Sequence, residues 1–581
     1  MNIFEKNPVA PVHWSNFNLS HEWKGSADIG YLIPIDCVEM LPNDRVRKNT
    51  EAFIQFAPMV YPPMQRIDCK IYHFFVPNRI LWKYWQKFIY DGKTDTQPAK
   101  NTLVVNLNAG WSRVAGYFGL GSLADYLGFP VQQLVNVGQQ ARTFQRIDLL
   151  PFAAYQKIWN DYFRDENLEE DIWSDEEDTE TQENSLYWNF YNHRGDITNL
   201  SVRFMENLFS LRKKAWEKDY FTSALPEPQL GDPVPVQVNT NDASVQMQSP
   251  LRTYLKTDYN GPSQQDHVAV VGSRLTDGAA TTNLTIKILE TNQDSDLIVS
   301  EAPTPNRVFT EIAAGTVMPL TIGNLSFTIS DLRLASAIQR MQEALARGGH
   351  RYKEAMITMY NQITPDFRID RPEFLASATI PVQVSAVAQT SSSEATSPMG
   401  SLAGRAVTVG GNNYFRYHAQ EHGFLMSLAC VIPRTAYANG LSRMWTRLDR
   451  YDYHNPFFEN LGDQSIKNKE IFFNPHDVDA ANPVNDVDFG YAPRYSEYKY
   501  IPSSVHGDFL KTLDFMTLTR FFNSTPLLNR EFIKPDDPTV NRAFAVVDDE
   551  GYNNVQHLYC TFYHNMKMRR PMQKNPLPKL M

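Results

Sequence analysis

The sequence predicts an all-β-dominated fold, an antiparallel sandwich or jelly roll with long loop insertions containing short helices. Short apolar runs, some strictly alternating, stand between turn-forming Pro, Asn and Asp residues, as in strands with one buried face. The 36 Pro and 28 Gly are spread along all 581 residues, which suits many strands and long connections better than a helical bundle. The strand candidates lie far apart and do not alternate regularly with helices. That excludes a doubly wound α/β sheet and fits sheets whose neighbours are joined across their ends by long excursions.

In chain order, Tyr31 to Met40, Phe53 to Val60 and Ile67 to Val76 read as strands; in the last, Ile67, Cys69 and Ile71 alternate with Asp68 and Lys70. Asn78 to Tyr90 carries Ile80, Leu81, Tyr84, Trp85 and Phe88 at helical spacing before Gly92, and predicts a short amphipathic helix. Asn101 to Asp148, rich in Gly and aromatic residues without periodicity, reads as a long irregular loop. The carboxylates crowded between Asp165 and Glu180 repel one another and predict a solvated segment; their spacing lacks the internal Gly of a calcium loop. Met205 to Lys218 reads as a helix.

Composition then shifts. Val236 to Leu325 is rich in Thr, Asn, Ser, Asp and Gln and poor in large aromatics, the signature of an inserted, exposed β-rich subdomain. The expected organisation is a first part of the main domain over residues 1–235, the insertion over 236–325, and a second part over 326–581 ending in a basic tail. A helix capped at Ser330 or Asp331 places Leu334, Ile338, Met341 and Leu345 on one stripe and stops at Gly348 and Gly349. Arg351 to Asn361 predicts a second helix, Ser377 to Val387 a strand and Thr390 to Gly411 a small-residue loop. Further strands are expected at Phe424 to Ile432, Arg542 to Val547 and Gln556 to Tyr563.

Hydrophobic residues make up 42% and charged residues 21% of the chain, enough to bury a large core. The formal charge of -10 excludes nucleic-acid binding by bulk electrostatics, so any such contact must be local. Cys37, Cys69, Cys430 and Cys560 are widely spaced and read as reduced, buried thiols, not as a disulfide framework or a metal site. No run approaches 18 apolar residues and no leader pattern opens the chain; a protein folded in a cytoplasm without a membrane anchor is expected.

Little in the sequence carries catalytic chemistry. Gly119, Gly121 and Ala124 fit a GxGxxA pattern, but the preceding segment is interrupted by Gly and no carboxylate follows at the required distance. GxxxxGK[ST], HExxH and GxSxG are absent and the 13 His are dispersed. No catalytic residue, metal ligand or cofactor is expected.

Two segments suggest binding. From Gly551 to Met581 there is no acid, while Lys567, Arg569, Arg570, Lys574 and Lys579 accompany Tyr559, Phe562 and Tyr563. Cations neutralise phosphates and aromatics stack on unpaired bases, so these five are candidate nucleic-acid contacts, with a solubilising tail or a subunit-bridging arm as the alternatives. In Arg443 to Gln464, the residues Trp445, Arg447, Arg450, Tyr451, Tyr453 and Phe457 combine the types favoured at protein contacts. They are candidate subunit-interface residues, with a packed core edge as the other reading.

A series of phrases resembles the major capsid protein of the Microviridae, the small icosahedral single-stranded DNA phages, and their gokushovirus-like branch in particular. They include FNLSHE at Phe17 to Glu22, GYLIPI at Gly30 to Ile35, LPND at Leu41 to Asp44, HFFVPNRILW at His73 to Trp82 and KDYFTSALPEPQ at Lys218 to Gln229. LRLASAIQRMQEALARGGHRYKE at Leu332 to Glu354, RPEFLA at Arg371 to Ala376, QTSS at Gln389 to Ser392 and EHGF at Glu421 to Phe424 follow. RMWTRLDRYDYHNPFFENLGDQ at Arg443 to Gln464, FGYAPRYSEYKYIPSSVHGDF at Phe489 to Phe509 and RPMQKNPLPKL at Arg570 to Leu580 complete a collinear set over nearly the whole chain. Asn43 departs from it, standing where Gly is usual.

The resemblance implies a single eight-stranded antiparallel jelly roll and a homo-oligomeric icosahedral shell enclosing circular single-stranded DNA. It also implies that the insertion forms surface protrusions. The partners expected are further copies of the chain, the packaged DNA, a small basic DNA-binding virion protein and a host surface receptor. The location is the virion, assembled in a bacterial cytoplasm. A soluble β-rich adhesin or carbohydrate-binding protein, suggested by the exposed insertion, and a β-architecture glycoside hydrolase are the competing readings.

Overall fold

The computed structural model describes residues 13–90, 102–103, 115–131, 147–193, 201–231, 244–246, 251–256, 268–271, 287–290, 307–312, 317–319, 329–349, 351–388, 402–477, 484–545 and 556–575. Two compact units emerge, one of Met1–Gly231 with Gln342–Met581, the other Asp232–Met341. In the second, three antiparallel ladders join Ser244–Gln246 to Val317–Pro319, Leu251–Lys256 to Arg307–Ile312 and Val268–Val271 to Lys287–Glu290.

The larger unit is built on β1 (Ser15–Asn18), β2 (His21–Ala27), β3 (Ile33–Met40), β4 (Arg45–Phe56), β5 (Ile67–Pro77), β6 (Glu373–Pro381), β7 (Gln383–Ala388), β8 (Leu402–Gly410), β9 (Phe415–His418), β10 (Gly423–Pro433), β11 (Asp463–Lys467), β12 (Asp488–Pro493) and β13 (Leu558–Arg570). In the first sheet β4 and β13 are the central pair, in register from Phe56↔Leu558 to Arg45↔Arg569. β1 and β2 share the far edge of β13, β8 and β9 share the far edge of β4, and β7 lies outside β8. The second sheet runs β6-β5-β10-β3, antiparallel throughout. β11 and β12 form a separate ladder.

Side-chain alternation sets the faces. In β4, Val46, Lys48, Thr50, Ala52, Ile54 and Phe56 are buried and the residues between them are not. Inward residues of both sheets, among them Ile54, Leu558 and Phe562 from the first and Ile35, Ile71 and Val431 from the second, join one hydrophobic core. Each such aliphatic or aromatic side chain contributes about 1.5–3 kcal/mol by leaving water. β10 is buried at every position, so both of its faces are covered. The helix Leu150–Ile158 supplies part of that cover, with Phe152, Tyr155 and Ile158 in the same core and the Tyr155 hydroxyl donating to Leu32 O at 2.8 Å. Among the described residues the outer face of the first sheet has no such cover: β13 alternates buried and exposed residues to its end.

Several expectations change. Asn78 to Tyr90 forms two short helices, Asn78–Leu81 and Trp85–Tyr90. The predicted helix at Met205 to Lys218 occupies Val202–Phe209 instead, and Ser377 to Val387 divides into β6 and β7 around Val382. β8 lies within the expected small-residue loop, and β1, β2 and the helix Leu150–Ile158 were not anticipated. Arg542 to Val547 is not a strand where described: a helix, Asp537–Asn541, and a turn occupy the region. The acidic run is partly built in, since Glu169 is buried against Lys534 and Asp171 pairs with Arg164 at 3.4 Å. Asn43 has φ +74°, a conformation natural to Gly that Asn tolerates better than most residues. Much of the basic C-terminal segment is built into the fold and is no free tail: Leu558–Arg570 form β13, which pairs with β4 at the centre of the first sheet.

Candidate nucleic-acid interface and subunit contact

The outward positions of β13 near its end are Lys567 and Arg569, both exposed. Register places Lys567 opposite Arg47 and Arg569 opposite Arg45 on β4, and then Arg47 opposite Arg416 and Arg45 opposite His418 on β9. On the other side Asn18 and Asn16 of β1 face Lys567 and Arg569. These four strands form the floor of a groove of about 860 Å³ containing five permanent cations. Among the described residues no carboxylate lines it and none pairs with these five.

Like charges directly opposite across a ladder cost stability, roughly 0.2–1 kcal/mol per pair. Fold and packing do not need them, so the cluster is a candidate anion-binding surface. Aromatic side chains flank it. The Arg569 and Arg45 guanidiniums lie 4.9 and 5.7 Å from the Trp14 ring centroid, and at the opposite margin Arg416 lies 5.6 Å from the Tyr414 ring while its Nε donates to the Tyr414 hydroxyl at 2.6 Å.

The sequence-predicted contacts divide accordingly. Lys567 and Arg569 belong to the groove. Arg570 is committed elsewhere, donating to Glu39 O at 2.7 Å and lying 3.4 Å from Asp44. Lys574 is exposed beyond the strand, and Lys579 lies outside the described residues.

Beneath the groove a polar layer joins the two sheets. Fully buried Lys48 donates to Asp36 and, at 2.6 Å, to Ser427 Oγ, which lies 2.8 Å from His73 Nδ1. His564 uses Nδ1 against Thr50 Oγ1 at 2.9 Å and Nε2 against Ile35 O at 3.0 Å. His21 Nε2 stands 3.4 Å from Asp36. His21, Asp36 and His564 thus offer three metal-type ligand atoms within 4.8 Å of one another. Their chemistry argues against a metal ion: Lys48 already supplies the cation, and both nitrogens of His564 are engaged.

The second candidate surface is Arg443 to Gln464. Packing in the core is excluded, because Trp445 is 70% exposed, Phe457 90% and Leu448 94%. The backbone beneath is well fixed. Arg443 donates to Ser465 O at 3.0 Å and lies 3.5 Å from Glu470, and Arg447 reaches Glu497 at 3.4 Å while stacking on Tyr498 at 4.3 Å. Asp452 accepts from the backbone of Leu448 and Asp449, and Asn455 accepts from the backbone of Phe457. Tyr451 and Tyr453 are also half exposed, and Arg450 stacks on Tyr451 at 4.6 Å. Arg447 therefore supports the loop from below, while the apolar side chains point to solvent.

A rigid loop presenting apolar side chains and a groove of unneutralised cations suit a protein that binds copies of itself and a polyanion. Comparison with known proteins gives the family. The family described as capsid protein (F protein) matches residues 8–580. The chain belongs to this capsid protein family. It is 31% identical to capsid protein VP1 of Chlamydia phage 1, over 100% of this chain and 98% of the relative. It is 33% identical to capsid protein VP1 of Bdellovibrio phage phiMH2K, over 97% and 95%, and 27% identical to that of Spiroplasma virus 4, over 97% and 95%.

The Microviridae resemblance read from the motifs is borne out, and the capsid chain is a structural protein, not a glycosidase. Sequence reasoning missed three groove residues of the capsid chain, Arg45, Arg47 and Arg416. The signal for two of them was present: in Arg-Val-Arg-Lys at Arg45 to Lys48, period-two alternation places both arginines on the face opposite Val46 and Lys48.

Proposed function

We propose that this major capsid protein closes a small icosahedral shell around circular single-stranded DNA, with the cationic face of its first sheet turned toward the packaged strand. The observation that carries this reading is the groove of five cations with no carboxylate partner among the described residues, in a chain of net charge -10. A shell of acidic subunits repels phosphates unless some basic surface, or a small basic virion protein acting with it, compensates. The framework is a single eight-stranded antiparallel jelly roll with long insertions. Supporting this, β2, β13, β4 and the β8/β9 pair form one four-strand order, β3, β10, β5 and β6 form the other, and chain neighbours such as β2 and β3 lie in opposite sheets.

Residues 236–325 form an exposed subdomain that contacts a host surface receptor, and residues 1–235 and 326–581 form the two parts of the shell domain. The separate compact unit at Asp232–Met341 favours this division. Trp445, Leu448, Tyr451, Tyr453 and Phe457 dock on a neighbouring copy, because exposed aromatic and aliphatic anchors on a rigid loop are the groups that gain most from burial between subunits. The location that follows is the virion, assembled in the host cytoplasm; among the described residues no helix is long and apolar enough to cross a membrane.

Electron microscopy of the purified chain, with and without single-stranded DNA, tests the reading. Closed shells of uniform diameter are expected, whereas monomers or small open oligomers under all conditions would overturn it.

A further inference from the structure

Two aromatic residues bracket the cationic groove, and this arrangement bears on which form of nucleic acid it accepts. Trp14 immediately precedes β1, and its indole is partly exposed, with the guanidiniums of Arg569 and Arg45 4.9 and 5.7 Å from its centroid. Tyr414 precedes β9, is 52% exposed, and is held by Arg416. Between them lie Lys567 and Arg47. From β1 across β13 and β4 to β9 is three strand spacings, roughly 15 Å, so the margins are a few nucleotides apart.

We propose that Trp14 and Tyr414 are stacking seats for unpaired bases, and that the groove selects single-stranded DNA by these seats and not by charge alone. The inference rests on the proposed genome-facing role of the groove and adds the recognition chemistry. Each aromatic ring has its orientation set by an arginine, leaving ring surface open on a rigid β platform. A phosphate on Arg45 or Arg569 brings the attached base beside the indole, where base and ring stack with the guanidinium contributing cation–π attraction. A duplex keeps its bases stacked on each other and offers the seats nothing. Inorganic polyphosphate offers charge only. Stacking is indifferent to base identity, which suits a surface that meets every part of a genome.

The test uses the unassembled full chain with three probes: an oligothymidylate of about 12 nucleotides, a duplex of equal length and inorganic polyphosphate. Wild type should bind the oligothymidylate more tightly than either other probe, with partial quenching of tryptophan fluorescence that is missing in Trp14→Phe. Trp14→Ala should weaken oligothymidylate binding by about tenfold, leave polyphosphate binding within twofold and leave the salt slope unchanged, and Tyr414→Ala should act in the same direction. Trp14→Phe, which keeps a ring in place, should retain most of the affinity and serves as the folded control.

If Trp14→Ala and Tyr414→Ala bind oligothymidylate like wild type while Arg47→Gln weakens all three probes, the stacking seats are refuted and the genome-facing groove survives. If Arg47→Gln and Lys567→Gln also change nothing, the groove is not a nucleic-acid surface and both ideas fall.

Discussion

Lys48 is enclosed between the two sheets, and its ammonium is balanced by Asp36 across the core. Removing one partner of a buried pair leaves the other charge uncompensated at a cost of about 3–5 kcal/mol, more than the pair itself contributes. Lys48→Met should therefore lower the urea midpoint of the unassembled chain sharply, while Lys48→Met with Asp36→Leu should recover much of the loss. A double variant no more stable than the single would show that the layer acts through shape and not charge.

The same layer sets an acid limit. Burial, the largest influence on Asp36, pushes it up, yet Lys48, His21 and His564 outweigh it and hold the carboxylate well below its usual range. Burial drives His564 down to about 3, with Lys48 adding to the fall. The unfolded chain protonates this histidine near pH 6.5 and the folded chain only near 3, so stability declines as pH falls between those values, and the Asp36 contribution is lost below about pH 3.9. His21 runs the other way: its bond to Asp36, more than its burial, moves it, and upward. Its smaller, half-exposed contribution is complete below about pH 6.5 and fades as pH rises through its raised value. Urea midpoints measured from pH 8 to pH 4 should fall toward acid for the wild type and fall less for His564→Gln.

At the scale of elements, the loop from Arg443 to Gln464 separates support from contact. Phe457→Ser with Leu448→Ser removes two nearly fully exposed apolar groups and should leave the melting temperature within about a degree while abolishing or slowing shell formation. Arg450→Ala, on the exposed rim, should likewise leave a folded monomer that assembles poorly. Arg447→Ala should instead loosen the loop, because its guanidinium bridges Glu497 and Tyr498 below the surface. Light scattering at rising protein concentration distinguishes these effects; normal assembly by the double Ser variant would remove this loop from the contact.

Elements with apolar runs were legible in the sequence: β3, β5 and β10 fall where these runs indicated, and β13 begins there but continues past Tyr563 to Arg570. β2 was not, because its inward positions are His21, Trp23, Gly25 and Ala27 and its outward ones are polar, so no run of large apolar residues announces it. β8 was hidden by its small residues, and Gly404 shows why they are there: a Cβ at this position would approach the Tyr61 and Pro62 backbone to 2.7 Å. The cationic groove was half legible for a similar reason. Lys567 and Arg569 stand in an acid-free segment, whereas Arg45, Arg47 and Arg416 join them only through pairings between strands hundreds of residues apart.

At the scale of the whole molecule, the insertion can be treated as a removable unit. The chain leaves and re-enters the larger unit at adjacent points, since a Cβ on Gly231 would lie 3.9 Å from Gln342 Nε2. Replacing residues 236–325 by a short flexible linker should therefore preserve folding and shell assembly, while attachment to host cells falls. A variant that cannot fold would refute the separable-subdomain reading.

The charge asymmetry of the shell leads to the final expectation. A chain of net charge -10 attracts DNA only where its field is locally reversed, and among the described residues the five groove cations form one such reversal. Each phosphate neutralised on a single strand releases condensed counterions and adds about -0.7 to the slope of log affinity against log salt, so five contacts give roughly -3.5 at most. Arg570 should add nothing, because it is held by Glu39 and Asp44. Replacing Arg45, Arg47, Arg416, Lys567 and Arg569 together by Gln should bring the slope close to zero. It should also relieve like-charge repulsion across the ladders, so the variant should be at least as stable as wild type and form shells that remain unfilled. An unchanged slope in that variant would place the DNA contact on other cations of the chain and not in this groove.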